Sequence, residues 1–109
     1  MKKVLIVLAF SAAASFVMAS MFPAVAHSEQ SGEDLFKQNC AVCHVDGGNI
    51  VNPKKTLHKQ DREANKVMSV KDIVHIMRNP GPGMIKFDEK TIPDKDAKEI
   101  AEYILKTFK

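Results

Sequence analysis

Two hydrophobic patterns follow one another along this chain of 109 residues. Residues 4–19 form an almost unbroken apolar run, whereas later segments repeat apolar positions three and four residues apart, the period of one helix face. The spacing predicts one helix that follows Ser69 and another that begins near Pro93. Their apolar positions are Val70, Ile73, Val74 and Met77 in the first helix, and Ala97, Ile100, Ala101, Ile104 and Phe108 in the second.

Capping and turn residues predict the boundaries of the remaining elements. Ser31 precedes two acidic residues suited to the first turn of a helix, which should run on to Cys40. Residues 45–68 are expected to be mostly loop, with a short helix after Pro53 that carries Thr56 and Leu57. The prolines and glycines of residues 79–83 must end the helix after Ser69. No strand-like alternation of useful length appears, so the sequence predicts an all-α fold.

The N-terminal segment has the pattern of an export signal. Lys2 and Lys3 precede the apolar run, and Ala24-Val25-Ala26 supplies a small-residue cleavage site. An uncleaved membrane anchor is the alternative interpretation, because the run nearly reaches spanning length. The cleavage site favours removal, so we expect a signal peptide at residues 1–26 and a single domain at residues 27–109. We therefore expect no membrane anchor after cleavage.

The charge and size of that domain narrow its function. From residue 27 onward there are 14 basic and 13 acidic side chains, a balance that gives no support to nucleic-acid binding. A domain of 83 residues has a marginal hydrophobic core, and exported domains of this size usually add disulfides, a metal or a prosthetic group. The chain has only two cysteines, Cys40 and Cys43, which cannot form a framework of several disulfides.

Those two cysteines belong to a motif that predicts the missing group. Cys40-Ala41-Val42-Cys43-His44 is the Cys-x-x-Cys-His signature of c-type haem attachment. Two thiols on one turn can each form a thioether with a haem vinyl group, and His44 can then ligate the iron. A thioredoxin-like pair would follow a strand, a structural zinc site needs four ligands, and a disulfide across so short a loop would stabilise little. The motif therefore indicates haem c.

The iron requires a sixth ligand, unless that position is open. Met77 lies on an apolar helix stripe and is expected to be core, Met68 precedes a helix cap, and His75 falls between apolar positions. Met84 instead follows the Pro/Gly segment, where an extended chain can present its thioether, with Phe87 three residues later. His/Met ligation is one of the known haem patterns, and the sequence favours Met84.

Three segments resemble a known family. They are Cys40-Ala41-Val42-Cys43-His44, residues 49–57, and Met84-Ile85-Lys86-Phe87, and residues 100–104 also resemble the C-terminal helix of that family. The chain resembles class I monohaem cytochromes c, in particular the cytochrome c-six group of cyanobacterial and algal lumens and its bacterial relatives. The resemblance implies a small fold of about four helices around one covalently attached haem.

The same resemblance implies roles for individual residues. Cys40 and Cys43 would hold the haem, and His44 and Met84 would be the axial ligands. Pro53 would lie on the His44 side of the ring, where its carbonyl or a neighbouring one could orient the imidazole. Other residues would line the haem and its propionates, namely Asn49, Lys55, Thr56 and Leu57. Gly32 and Phe36 would sit where the first and last helices cross, near Tyr103.

Two departures from the family pattern bear on the pathway. The usual Met-Pro-Ala-Phe is Met84-Ile85-Lys86-Phe87 here, and Ile76 stands where photosynthetic members often have a glutamine. These differences favour a respiratory or metal-reducing periplasm over a photosynthetic lumen.

The expected function is electron transfer between redox protein partners, because an iron with both axial positions filled can do little except change oxidation state. The expected carrier is soluble, periplasmic or lumenal, and a monomer or weak homodimer; it is not expected to be an enzyme. The alternatives are a five-coordinate haem protein for gas sensing or peroxidase-like catalysis, and a haem-bearing interaction module.

Two charged features carry further expectations. The basic residues of segment 45–72, which include Lys54, Lys55, Lys59, Arg62 and Lys66, form either a solvated face or a docking patch for an acidic partner. His58 is either an exposed loop residue or a neighbour of a haem propionate that couples proton uptake to reduction.

Overall fold

A computed structural model describes residues 29–109, and the expected signal peptide, residues 1–26, lies outside this range. The described chain contains four α-helices and no strand, as the sequence predicted. They are α1 (Gly32–Asn39), α2 (Lys59–Ala64), α3 (Val70–Arg78) and α4 (Asp94–Thr107), with a short 3-10 turn at Val45–Gly47. Within residues 29–109, no helix is both long enough and apolar enough to cross a membrane.

The predicted caps begin two of these helices. The Oγ of Ser31 accepts a hydrogen bond from the backbone N–H of Asp34, at 3.2 Å, and starts α1. Ser69 and Asp72 form a reciprocal pair at the start of α3, in which each side chain accepts from the backbone N–H of the other, at 3.1 and 2.9 Å. These bonds satisfy amides that the helix itself leaves free, so they define where each helix begins.

The predicted short helix after Pro53 was wrong in its position. The helix of this region is α2, which begins at Lys59, and both Thr56 and Leu57 precede it. The N–H of Leu57 donates to the carbonyl of Gly47 at 2.7 Å, a bond across the loop instead of the helical bond to the residue four positions earlier. Residues 56 and 57 thus lie in a non-helical segment that is joined to Gly47.

α4 forms the centre of the core, between α1 and α3. Its predicted apolar stripe is buried along its whole length: Ala97, Ile100, Ala101, Ile104 and Phe108. Leu35 and Phe36 of α1 and Ile73 and Met77 of α3 pack into the same cluster. Burial of these helix faces supplies the hydrophobic stabilisation that the helices lack in isolation.

α1 and α4 cross at Gly32, as expected. A Cβ at this position would lie 2.2 Å from the backbone oxygen of Glu99 and 3.1 Å from the Cβ of Tyr103. The absent side chain therefore lets the two helices approach closely. Beside the crossing, the rings of Phe36 and Tyr103 lie 5.3 Å apart and are tilted by 47°, a favourable arrangement for an aromatic pair.

Candidate functional site

A cavity of about 600 Å³ opens between the Cys-x-x-Cys-His turn, the loop before α2, α3 and the segment around Met84. This volume falls within the usual range of small-molecule and cofactor sites. Its deep wall is apolar and includes Leu57, Val67, Ile73, Ile76, Met77 and Phe87. Ile76 thus gives this wall a hydrocarbon side chain.

The cysteines and His44 are brought to the cavity by the end of α1. The helix stops at Cys40, whose carbonyl accepts hydrogen bonds from the N–H groups of Cys43 and His44, at 3.1 and 2.9 Å. This single turn places all three side chains in the cavity wall. Burial raises the pKa of the Cys40 thiol to about 11, so the free sulfur is protonated at neutral pH.

The orientation of His44 is fixed by a backbone carbonyl. The Nδ1 atom of His44 lies 2.7 Å from the carbonyl oxygen of Gly48. Because a carbonyl can only accept, Nδ1 must donate, which leaves the lone pair of the neutral ring on Nε2, free for a metal. The sequence suggested Pro53 or its neighbour for this contact, but Pro53 is exposed and does not line the cavity. Gly48 carried no sequence signal for this role.

Met84 also lines the cavity, and it is half-buried. The preceding residue, Gly83, has φ +89°, and a Cβ there would lie 2.6 Å from Cγ1 of Val51. Val51 belongs to the loop before α2, so it packs directly over the segment that presents Met84. Gly83 therefore provides both the left-handed backbone and the space that this contact needs.

The other candidate ligands differ in position. Met77 is buried in the core and also reaches the cavity wall, in agreement with its expected packing role. Met68 is 63% exposed, and the side chain of His75 is exposed on α3. His58 is exposed, does not line the cavity, and lies edge-on against the ring of Phe108 with centroids 5.9 Å apart. The geometry gives no support to the hypothesis that His58 neighbours a propionate.

The four other residues expected near the haem all line the cavity: Asn49, Lys55, Thr56 and Leu57. The amide of Asn49 organises their loop. Its Nδ2 donates to the carbonyl of Lys55 at 2.8 Å, and its Oδ1 accepts from the N–H groups of Val51 and Asn52, at 3.0 and 2.9 Å. The side chain of Asn49 thus holds residues 49–55 together as the loop that forms part of the cavity wall.

Arg62 is the cavity residue whose position differs most from the sequence expectation. It was counted with the basic residues of segment 45–72 as part of a solvated or docking surface, yet it is 5% exposed and lines the cavity. Its Nε donates to the carbonyl of Leu57 at 2.7 Å, and its Nη2 donates to the carbonyl of Phe108 at 3.1 Å. Periodicity could not reveal this, because Arg62 lies on a helix of only six residues.

The donors at this cavity fit haem c. Two thiols, a correctly oriented imidazole and a thioether meet one largely apolar space, which is the set that covalent attachment and His/Met ligation require. Within the described part of the chain, no group of three or more His, Cys, Asp or Glu side chains could hold a bare metal ion. A structural zinc site therefore finds no support in residues 29–109.

The chain is similar to known cytochromes. A family model described as "Cytochrome C oxidase, cbb3-type, subunit III" matches residues 27–104. The cytochrome c6 of Pyropia yezoensis is 36% identical over 105 residues, which cover 96% of this chain and 94% of that protein. The cytochrome c6 of Rippkaea orientalis is 37% identical over 83 residues, which cover 76% of this chain and 74% of the relative.

Solved structures agree with these sequence matches. The outer membrane cytochrome OmcF from Geobacter sulfurreducens superposes with a TM-score of 0.71 at 48% identity, covering 72% of this chain and all of that one. Cytochrome c6C from Synechococcus gives a TM-score of 0.67 at 26% identity, covering 72% and 95% of the two chains. The chain therefore belongs to the cytochrome c family and is a single-haem class I cytochrome c that resembles cytochrome c6, an electron carrier rather than an enzyme, with covalently bound haem c.

Proposed function

We propose that this protein is a soluble carrier outside the cytoplasm that passes single electrons between redox proteins, with His44 and Met84 as the axial ligands of its iron. When bound, the haem supplies one iron that alternates between the ferric and ferrous states. The observation that carries the proposal is the bond between Nδ1 of His44 and the carbonyl of Gly48, in a cavity that Met84 also lines. That bond leaves only Nε2 of His44 available as a ligand.

Met84 is a better ligand candidate than Met77. The side chain of Met77 is 4% exposed and packs with the residues of the core cluster, where its removal would leave a cavity. Met84 is half-buried on a non-helical segment and packs against that cluster without being one of its buried members. Its sulfur can therefore face the haem space while the buried residues keep their packing. A thioether ligand raises the reduction potential relative to a second histidine.

The cofactor contacts follow from the cavity wall. We propose that Cys40 and Cys43 form the two thioether bonds, and that Asn49, Lys55, Thr56 and Leu57 surround the ring. Pro53 is left outside this set, because it is exposed and does not line the cavity. The apolar side chains of the deep wall disfavour the additional charge of the ferric state and exclude water from the iron.

The location of the protein is proposed from its first residues. We infer that residues 1–26 direct export and are cleaved, which leaves a domain at residues 27–109 in a bacterial periplasm or a lumen. Its partners are donor and acceptor redox proteins, and it acts as a monomer or weak homodimer. N-terminal sequencing of the exported protein should begin at His27; a chain that retains residues 1–26 in the membrane fraction would contradict this.

Potentiometry of the protein expressed with c-haem maturation tests the function. We expect a reversible one-electron titration, with a tenfold change in the ferric-to-ferrous ratio for about every 59 mV. Addition of carbon monoxide to the reduced protein should leave its absorption spectrum unchanged, because both axial positions are filled. Rapid carbon monoxide binding under native conditions would show an open iron and would contradict the proposal.

A further inference from the structure

Arg62 is a buried charge in an otherwise conventional small core. Among residues 29–109 it is the one charged side chain that is buried, with 5% of its surface exposed. Removal of a guanidinium from water costs several kcal/mol unless an opposite charge or a full set of acceptors replaces the solvent. The groups that contact Arg62 therefore indicate whether its role is to stabilise the fold or to place a charge at the cavity.

The protein groups around Arg62 solvate its charge only in part. The carbonyls of Leu57 and Phe108 accept from Nε and Nη2, but both acceptors are neutral dipoles. Within residues 29–109 no carboxylate forms an ion pair with this guanidinium, and Nη1 has no protein acceptor. No polar side-chain atom of this part of the chain is sealed from solvent without a partner. Nη1 therefore keeps some access to solvent, and Arg62 is one of the residues that line the cavity.

The cavity wall leaves this charge uncompensated. Its other charged side chains, apart from the ligand His44, are Lys55, which adds a second positive charge, and Asp61. The carboxylate of Asp61 accepts a hydrogen bond from the hydroxyl of Thr56 and forms no ion pair with Arg62. Lys55, Asp61 and Arg62 together leave the wall with one net positive charge, and haem carries two carboxylates.

We propose that Arg62 is the counter-charge of a haem carboxylate and that its buried positive charge raises the reduction potential of the iron. This inference rests on the proposed function and adds to it a positioning residue that sets the potential. A cation in a low-dielectric wall interacts more favourably with the ferrous state, whose net charge is lower by one. The planar guanidinium also suits a carboxylate, since it can donate two parallel hydrogen bonds.

The two roles of Arg62 are separable by substitution. Its bonds to Leu57 and Phe108 link the loop before α2 to the end of α4, and their loss should lower stability whatever replaces the guanidinium. Its charge alone should affect the potential. Arg62→Lys keeps the charge but loses the planar set of N–H donors of the guanidinium, and Arg62→Gln loses both. Arg62→Met replaces the charged group with an apolar side chain of similar length.

The matched control is Lys59→Gln. Lys59 lies on the same helix, its side chain is 63% exposed, and its substitution removes one positive charge from solvent rather than from the cavity. For each haem-loaded protein, the midpoint potential and the thermal midpoint are measured at pH 7 and at moderate ionic strength. Potential reports the electrostatic role and unfolding reports the structural role, independently of any partner protein.

The expected result for Arg62→Gln and Arg62→Met is about a tenfold rise in the ferric-to-ferrous ratio at the wild-type midpoint, equivalent to about 59 mV. Arg62→Lys should unfold at a lower temperature but shift this ratio by less than about threefold. Lys59→Gln should change neither quantity appreciably. Failure of both neutral variants to incorporate haem during maturation, with a haem-loaded Arg62→Lys, would also support a requirement for the charge.

Other outcomes would overturn the proposal. Equal potential shifts in Arg62→Lys and Arg62→Gln, or no shift in either, would show that Arg62 acts only through its carbonyl bonds. Failure of all three variants to incorporate haem during maturation would likewise indicate a structural role. A wild-type protein that cannot be titrated reversibly would refute the carrier function itself. A wild-type protein that titrates reversibly, with variants of unchanged potential, would refute only the role of Arg62.

Discussion

The crossing of α1 and α4 gives a quantitative test of the fold. In Gly32→Ala, the new Cβ would lie 2.2 Å from the backbone oxygen of Glu99 and 2.8 Å from its carbonyl carbon. An ordinary contact at this Cβ is at least 3.4 Å, so the helices must separate by about 1.2 Å. Neither obstructing atom can rotate away, because both belong to the backbone of α4.

The energetic cost follows from the overpacking and from the aromatic pair beside it. Overpacking of a dense core costs about 1–3 kcal/mol, and a backbone obstruction belongs at the upper end of this range. Separation of the helices also weakens the Phe36–Tyr103 contact, which contributes about 0.5–1.5 kcal/mol. We therefore expect Gly32→Ala to lower the free energy of unfolding by about 3 kcal/mol, equivalent to about 12–24 °C in Tm.

Thermal and urea unfolding of the haem-loaded protein, followed by far-ultraviolet circular dichroism, provide the assay. Gly81→Ala is the matched control, since a Cβ at Gly81 meets no atom within 4 Å, and it should change the stability by less than about 0.5 kcal/mol. If Gly32→Ala unfolds within that same margin of the wild type, the inference of a close helix crossing is incorrect.

Three further predictions concern the loops and one helix cap. In Gly83→Ala the φ is strained and the new Cβ meets Val51, so ligation by Met84 should weaken and carbon monoxide should bind the reduced protein. Gly81→Ala, whose Cβ meets no atom, should not bind carbon monoxide. Absence of binding in both variants would contradict the inferred contact between Val51 and the segment that presents Met84. Asn49→Ala loses three hydrogen bonds and should lower the free energy of unfolding in urea by about 1–3 kcal/mol. Asn79→Ala loses one exposed hydrogen bond and should lower it by less than about 1 kcal/mol. Equal losses would show that the Asn49 side chain does not organise its loop. Hydrogen bonds from Ser69 and Met68 lower the pKa of the Asp72 carboxyl in the folded protein, so its stabilisation is present above about pH 4 and is lost as the pH falls below that value. Asp72→Asn should therefore show a smaller loss of Tm between pH 6 and about pH 3; an unchanged pH profile would exclude this contribution.

The elements that were predicted correctly have local causes. Ser69 with Asp72 makes a cap within four residues, and the stripe from Ala97 to Phe108 lies on one helix. The Cys-x-x-Cys-His motif is likewise complete within five residues, so its meaning does not depend on the rest of the fold. In each case the interacting groups are close in sequence, and periodicity or spacing alone identifies them.

The features that were missed depend on contacts between distant segments. The N–H of the non-helical Leu57 donates to the carbonyl of Gly47, and the acceptor for His44 is the carbonyl of Gly48, a group that any residue would supply. Arg62 is buried because its guanidinium reaches the carbonyl of Phe108, 46 positions along the chain. Every residue type carries the same backbone carbonyl, so no pattern in the sequence could have identified the acceptors of these three contacts.

Ligation of the iron by His44 and Met84 is tested most directly by the optical spectrum of the ferric protein. A weak long-wavelength band from sulfur to ferric iron should be present in the wild type and absent in Met84→Leu. The same band should persist in Met77→Leu, which keeps the volume of a buried core residue, and in Met68→Leu, whose side chain is 63% exposed. Loss of the band in Met77→Leu with retention in Met84→Leu, or no band in the wild type, would contradict His44/Met84 ligation.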